Sequence, residues 1–209
     1  TLFHSHILTA MKKKQTEEKP PQPGYKRRLW AFLIMMVLGG GAGATVHSFL
    51  SLYTANELGA TNEQAARVLA WVFMHGIYGG FIGGFISDKI GSAKVIIATD
   101  ILGGLLIFGL VGVQEYNVAY IAVLISLGLV HAIRFPVAEV FIMGQSPAKH
   151  RSMIYGIYYS TMQYTGAIFA PIMGHFIDIY GFHTMFTFSA YAVTAVAFIT
   201  AFFIYDAKD

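Results

Sequence analysis

Residues 131 to 139 read His131-Ala-Ile-Arg134-Phe-Pro136-Val-Ala-Glu139: an imidazole, a guanidinium and a carboxylate set inside an apolar stretch. An ionisable side chain within a membrane span costs about 2.5 to 3.5 kcal/mol on insertion scales, so each one needs a partner or a task. At about 100° per residue the three fall within one broad arc of a helix. Pro136 removes the hydrogen bond to the carbonyl of Ala132, leaving an acceptor free and inviting a kink. Two readings fit. In one, the arc lines a cavity where Arg134 attracts an anionic group and Glu139 or His131 exchanges protons. In the other, a self-satisfied ion pair locks helices together.

Other polar residues are sparse. Asp100 lies roughly 10 Å into its apolar stretch at 1.5 Å per residue, at a depth similar to Arg134 and Glu139 counted from the same side, so an Asp100 to Arg134 bridge is expected mainly as a structural tie. His75 and Tyr78 form a second pair on another stretch, and His47 stands near the outer end of the first. Lone histidines at such places serve either as hydrogen-bonded packing residues or in proton coupling. Tyr155, Tyr159, Met162 and Gly166 share one helical face with Tyr158 and Gln163 beside it, an arrangement suited to packing or to holding a solute by stacking and hydrogen bonds. Cysteine is absent, and no nucleotide-binding loop, metal-protease motif or nucleophile elbow occurs. No acid, base and nucleophile converge at one depth, so an enzyme is not expected. Neither is a cofactor or metal site, since His4 and His6 alone make a weak ligand set.

The elements that carry these residues are membrane spans. Hydrophobic residues make up 56% of the 209, charged residues 12%, and mean hydropathy is +0.58, which excludes an ordinary soluble domain. Six apolar stretches each approach the roughly 20 residues that cross a bilayer core: about 29–53, 68–87, 93–113, 118–143, 153–176 and 184–205. Short connections make neighbours antiparallel. The expectation is an all-α bundle over 29–205.

Residues 76 to 94 organise this bundle. Gly76, Gly80, Gly83 and Gly84 fall in a narrow arc along which another helix backbone can approach closely, and the stretch runs into Asp88, Lys89, Gly91 and Lys94, a charged tight turn. The pattern Gly84-x-x-x-Asp88-x-x-Gly91 returns as Gly174-x-x-x-Asp178-x-x-Gly181, and at the same offset Gly76 falls on Gly166. An internal duplication follows: 29–113 and 118–205 as two three-span units, the second inverted relative to the first.

Of the 14 lysines and arginines, all but Arg67 and Arg134 fall on one side of this arrangement, which should be cytoplasmic together with both termini. The opposite loops hold Glu57, Glu63, Glu115 and Asp178. Residues 1–28 are basic and contain Pro20, Pro21 and Pro23, as a solvated linker would, suited to anionic lipid rather than nucleic acid. Residues 206–209 form a short tail. The chain opens on Thr1, as a piece of a longer protein would.

Gly84-x-x-x-Asp88-Lys89-x-Gly91-x-x-Lys94 resembles the signature loop of the major facilitator superfamily, departing from it at Ser92, where a basic residue is usual. Gly166-Ala-Ile-Phe-Ala170-Pro171-Ile-Met-Gly174 is similar to that family's glycine and proline signature in antiporters, with Ala170 in place of a glycine. The resemblance covers about 27–205. It implies the carboxyl-terminal six-helix half of a twelve-helix transporter in the cell membrane, with an amino-terminal half as partner and a small solute as cargo. Spans one, two, four and five would line the cavity, spans three and six would be peripheral, Asp100 with them. His75, His131, Arg134, Tyr158 and Gln163 become cavity candidates, and Asp88 with Lys89 would latch the cytoplasmic side during alternating access. A half-size protein acting as a homodimer, or a scaffold without transport, is the rival expectation.

Overall fold

The computed structural model describes residues 23–207, and every regular element among them is helical. Seven α-helices follow in order: α1 Tyr25–Glu57, α2 Asn62–Phe73, α3 Gly76–Ile90, α4 Ser92–Gly112, α5 Val118–Gln145, α6 Arg151–Tyr180 and α7 Phe182–Ile204, with a short 3-10 turn at Ala148–His150. Most of the expected basic linker, and residues 208–209, lie outside the described residues. The helix begins earlier than the linker was expected to end. Arg28 is buried and its Nε donates to Gln145 Oε1 at 2.9 Å, tying the start of α1 to the end of α5.

Local chemistry sets the boundaries. Thr61 and Gln64 form a reciprocal capping box at the start of α2, and Asn117 accepts from the Tyr120 amide at 3.0 Å at the start of α5. The two repeated turns close alike. Gly91 has φ 90° and ψ 145°, Gly181 has φ 80° and ψ 161°, and each amide donates at 2.8 Å to the carbonyl four residues back. Side chains rarely tolerate that backbone region, so glycine allows one helix to end and the next to begin without a loop.

Five segments are long and apolar enough to cross a membrane: α1, α2 with α3 taken together, α4, α5 and α7. The sixth expected stretch falls on α6, 30 residues long and less apolar than these. Pro136 and Pro171 sit inside α5 and α6 without ending them. The second segment instead breaks at Met74–His75, where no proline stands. Large apolar side chains such as Phe81, Val118 and Phe202 point outward, as bilayer solvent permits. Lipid tails are as apolar as leucine, so the helices are held by close packing and interior hydrogen bonds. Gly83 shows the first device: a Cβ there would meet the Ile133 carbonyl oxygen at 2.7 Å. Thr54 and Tyr120 show the second, sharing a buried hydrogen bond of 2.6 Å between α1 and α5.

The interior consists of two apolar cores stacked along the bundle. One joins Val46, Leu50, Leu110, Leu124 and Phe186, and the other joins Phe32, Ile96, Phe141, Ile154 and Ile204. α7 packs most extensively on α4 and α1, while α6 rests mainly on α1.

Candidate functional site

Between the two cores the bundle is hollow. A cavity of about 340 Å³ takes residues 32–47 of α1, 99–107 of α4, 127–135 of α5, 158–165 of α6 and 193–200 of α7 into its walls. In each helix these fall between the segments that build the cores. Gly39, Gly40 and Gly43 lower the α1 wall, and Met35, Met36 and Met162 give it an adaptable apolar lining.

The charged and imidazole groups of the cavity form two pairs, with Thr99, Thr165, Thr200 and Tyr158 as its other polar side chains. Arg134 on α5 donates through Nε to Asp100 Oδ1 on α4, and Nη2 reaches Oδ2 at 3.4 Å. The two side chains keep 24% and 16% of their surface exposed, so the pair borders the cavity while being largely withdrawn from it. Arg134 is thus neutralised, and an anionic solute would have to compete with Asp100. The second pair is His47 on α1 and His131 on α5, ring centroids 5.3 Å apart. His47 Nδ1 is buried with no hydrogen-bond partner among the described residues, while His131 is exposed to the cavity. Two imidazoles so placed can accept or hand on a proton, or hydrogen-bond a polar solute.

The expected residues divide accordingly. His131, Arg134 and Tyr158 line the cavity. Asp100, expected at the periphery, lines it too, because α4 packs against α5 and α7 at this level. Glu139 lies beyond the lining and accepts a hydrogen bond from the Tyr159 hydroxyl. Gln163 is exposed and outside it. His75 is buried at the break between α2 and α3, where Nδ1 shares a hydrogen bond with the hydroxyl of half-exposed Tyr78 and Nε2 has no hydrogen-bond partner among the described residues.

Among the glycines, closest approach to α5 falls to Gly79 against Ala132 and Gly83 against Ile133. Gly80 only grazes Pro136 at 3.9 Å, and a Cβ at Gly76 or Gly84 would meet open space. Gly174 is tight, 3.1 Å from Phe49, while Gly166 stands at ordinary distance from Ala44. Asp88 and Lys94 border a separate surface pocket of about 450 Å³ with Gly91, Val140 and Ala207, and Lys89 lies over the Phe85 ring, 4.1 Å from its centroid. Sequence reasoning missed the union of His47 with His131. Counted from the outer ends of their apolar stretches, their depths differ by about two helical turns, so depth in the sequence did not join them.

A multi-pass helical bundle around a polar-tipped apolar cavity has the form of a membrane transporter. Residues 27–209 match the Major Facilitator Superfamily, and the chain belongs to that family, whose members are transporters and not enzymes. An uncharacterised transporter of this type, YqjV of Bacillus subtilis, is 26% identical over 146 residues, 69% of this chain and 35% of its own length. Multidrug resistance protein MdtG of Yersinia enterocolitica is 26% identical over 191 residues, 88% of this chain and 45% of that one. The E. coli fucose:proton symporter FucP superposes with a TM-score of 0.65 at 19% identity, over 93% of this chain and 45% of that one. The chain therefore spans less than half the length of these relatives.

Proposed function

We propose that the bundle is one six-helix half of a secondary transporter that moves a small solute by alternating access in the cell membrane, coupled to protons. The carrying observation is the cavity between two apolar cores, with an interhelical ion pair and an imidazole pair as its polar features. The matching closure at Gly91 and Gly181 supports two inverted repeats, 29–113 and 118–205. The basic residues Arg28, Lys89, Lys94, Lys149 and Arg151 gather at the end of the bundle where α1 starts and α7 stops, which supports cytoplasmic termini. An amino-terminal half, facing the open sides of Gly76 and Gly84, would complete the cavity, and the Asp88–Lys94 turn would act as its latch.

In this reading the Asp100–Arg134 pair is a switch between helices. A solute that binds beside it loosens one partner, and His131 with His47 takes up or releases the proton that balances the cycle. The relatives suggest two probe classes, multidrug substrates and a sugar. The test is the full-length protein in proteoliposomes with a pH-sensitive dye inside, challenged with ethidium and with fucose under an imposed pH gradient. Solute-dependent proton movement that Arg134→Gln and His131→Asn each reduce at least tenfold supports the proposal. Flux of either solute that ignores the gradient and survives both substitutions removes the coupling. Absence of flux from well-folded protein favours the scaffold reading.

A further inference from the structure

We infer that Glu139 and the rings of Tyr155 and Tyr159, backed by the buried ring of Tyr158, on the facing sides of α5 and α6, form a binding subsite for an organic cation bearing an ammonium or phosphonium centre. The inference deepens the transporter reading and rests on it. Besides Arg67, which pairs with Glu63 on α2, the described residues away from the helix ends hold three formal charges: Asp100, Arg134 and Glu139. The first two neutralise each other. Glu139 has no ion pair among the described residues, where its carboxylate is met by tyrosine hydroxyls, Tyr159 donating to it and Tyr155 beside it. A carboxylate left so in a membrane interior calls for a positive counter-charge.

The surroundings are those that recognise a cation without a strong hydration shell. Three tyrosine rings stand with centroids 5.0 Å apart for Tyr155 and Tyr159, 5.5 Å for Tyr158 and Tyr159, and 6.0 Å for Tyr155 and Tyr158, all mutually inclined. Electron-rich ring faces about a carboxylate attract a quaternary or delocalised cation. An interfacial tyrosine belt would turn its hydroxyls to the lipid headgroups; here the Tyr159 hydroxyl is engaged by Glu139 on the neighbouring helix, and Tyr158 is buried. Access is open, since Tyr159 keeps 36% of its surface and a Cβ at Gly156 would meet nothing within 4 Å. Tyr158 also walls the central cavity, so the subsite adjoins it on the side where the chain termini lie.

The same chemistry fits a soluble cation or the ammonium of a lipid headgroup. Binding of radiolabelled tetraphenylphosphonium to the full-length protein in phosphatidylglycerol nanodiscs tests the site, and repetition in phosphatidylethanolamine nanodiscs separates the sources. Saturable binding is expected, weakened at least tenfold by Glu139→Gln and severalfold by Tyr159→Leu, with Glu139→Asp and Tyr159→Phe retaining most of it. Competition by phosphatidylethanolamine assigns the site to a lipid ammonium, and its absence assigns it to a soluble cation; both uphold the cation site. Wild-type protein that binds no better than Glu139→Gln overturns it, as does Tyr159→Leu that binds like wild type. Flux loss in Arg134→Gln with cation binding intact would concern the transport cycle alone.

Discussion

Helix α5 carries two charged groups less than two turns apart, and the fold treats them in opposite ways. Arg134 is matched across the helix boundary by Asp100, two-pronged and largely withdrawn from the cavity. Glu139 is left with a neutral hydroxyl and three aromatic rings. Both bear the same kind of insertion cost, so the difference lies in what offsets it. Compensation within the chain ties helices together; compensation left open invites something from outside. Each half of this contrast can be broken separately.

The largest effect should come from splitting the first pair. Arg134→Leu leaves Asp100 as an uncompensated charge in the interior and should cost about 3 to 5 kcal/mol of unfolding free energy in bicelles. Adding Asp100→Leu should return most of that loss, because two apolar side chains replace two charges, while solute flux stays abolished. A double variant no more stable than the single one would mean that the pair is not the tie it resembles.

A smaller loss sharpens the contrast by moving α5 itself. Gly83→Ala places a methyl group 2.7 Å from the Ile133 carbonyl, a backbone atom that cannot swing aside, and should cost about 1 to 3 kcal/mol. Gly84→Ala meets no atom within 4 Å among the described residues, so it should leave the seating of α3 on α5 undisturbed and cost less than Gly83→Ala. Equal effects in the same unfolding measurement would show that α3 does not seat against α5 where Gly83 meets it.

This glycine contrast marks where the sequence stops being legible. Helical spacing generates the small-residue stripe through Gly76, Gly80, Gly83 and Gly84 as readily as one through Gly79 and Gly83; of the expected stripe Gly83 meets α5 closely, and only the neighbour's position adds Gly79 and leaves Gly76 and Gly84 open. The turns were readable because their requirement is local: a positive φ at Gly91 and Gly181 belongs to the residue itself. The Asp100–Arg134 tie was readable from matching depth. Asp100 as a cavity residue, His47 against His131 and the tyrosines around Glu139 were not, since each depends on rotation of one helix about its axis relative to another. The break at Met74–His75 had no proline to announce it, while Pro136 and Pro171 passed inside continuous helices.

The two repeated turns offer the same contrast with geometry held constant. Gly91→Ala and Gly181→Ala should each cost about 1 to 3 kcal/mol, since both backbones occupy a region nearly closed to side chains. Charge then separates the copies: Asp88 borders a pocket with Lys94 and is followed by Lys89 over Phe85, whereas Asp178 is followed by Ile179. Asp88→Asn should slow transport with little change in stability, and Asp178→Asn should leave both near wild type. Matching flux defects would remove the special role given to the first turn.

The smallest expected change is the one whose sign matters most. Glu139→Gln removes a carboxylate that has no basic partner among the described residues, keeps the side-chain shape and retains an acceptor for the Tyr159 hydroxyl. Where charge is matched, neutralising one partner destabilises; where charge is unmatched, neutralisation relieves an interior cost. Glu139→Gln should therefore leave unfolding free energy unchanged or raise it by up to about 1 kcal/mol, as an insertion penalty of about 2.5 to 3.5 kcal/mol at a helix centre shrinks when the group is partly exposed. Arg134→Leu under the same conditions moves the other way. A loss of more than about 2 kcal/mol in Glu139→Gln would mean that the carboxylate is already balanced within the protein. The two charges of α5 would then be two instances of one structural device, with no cation left to bind.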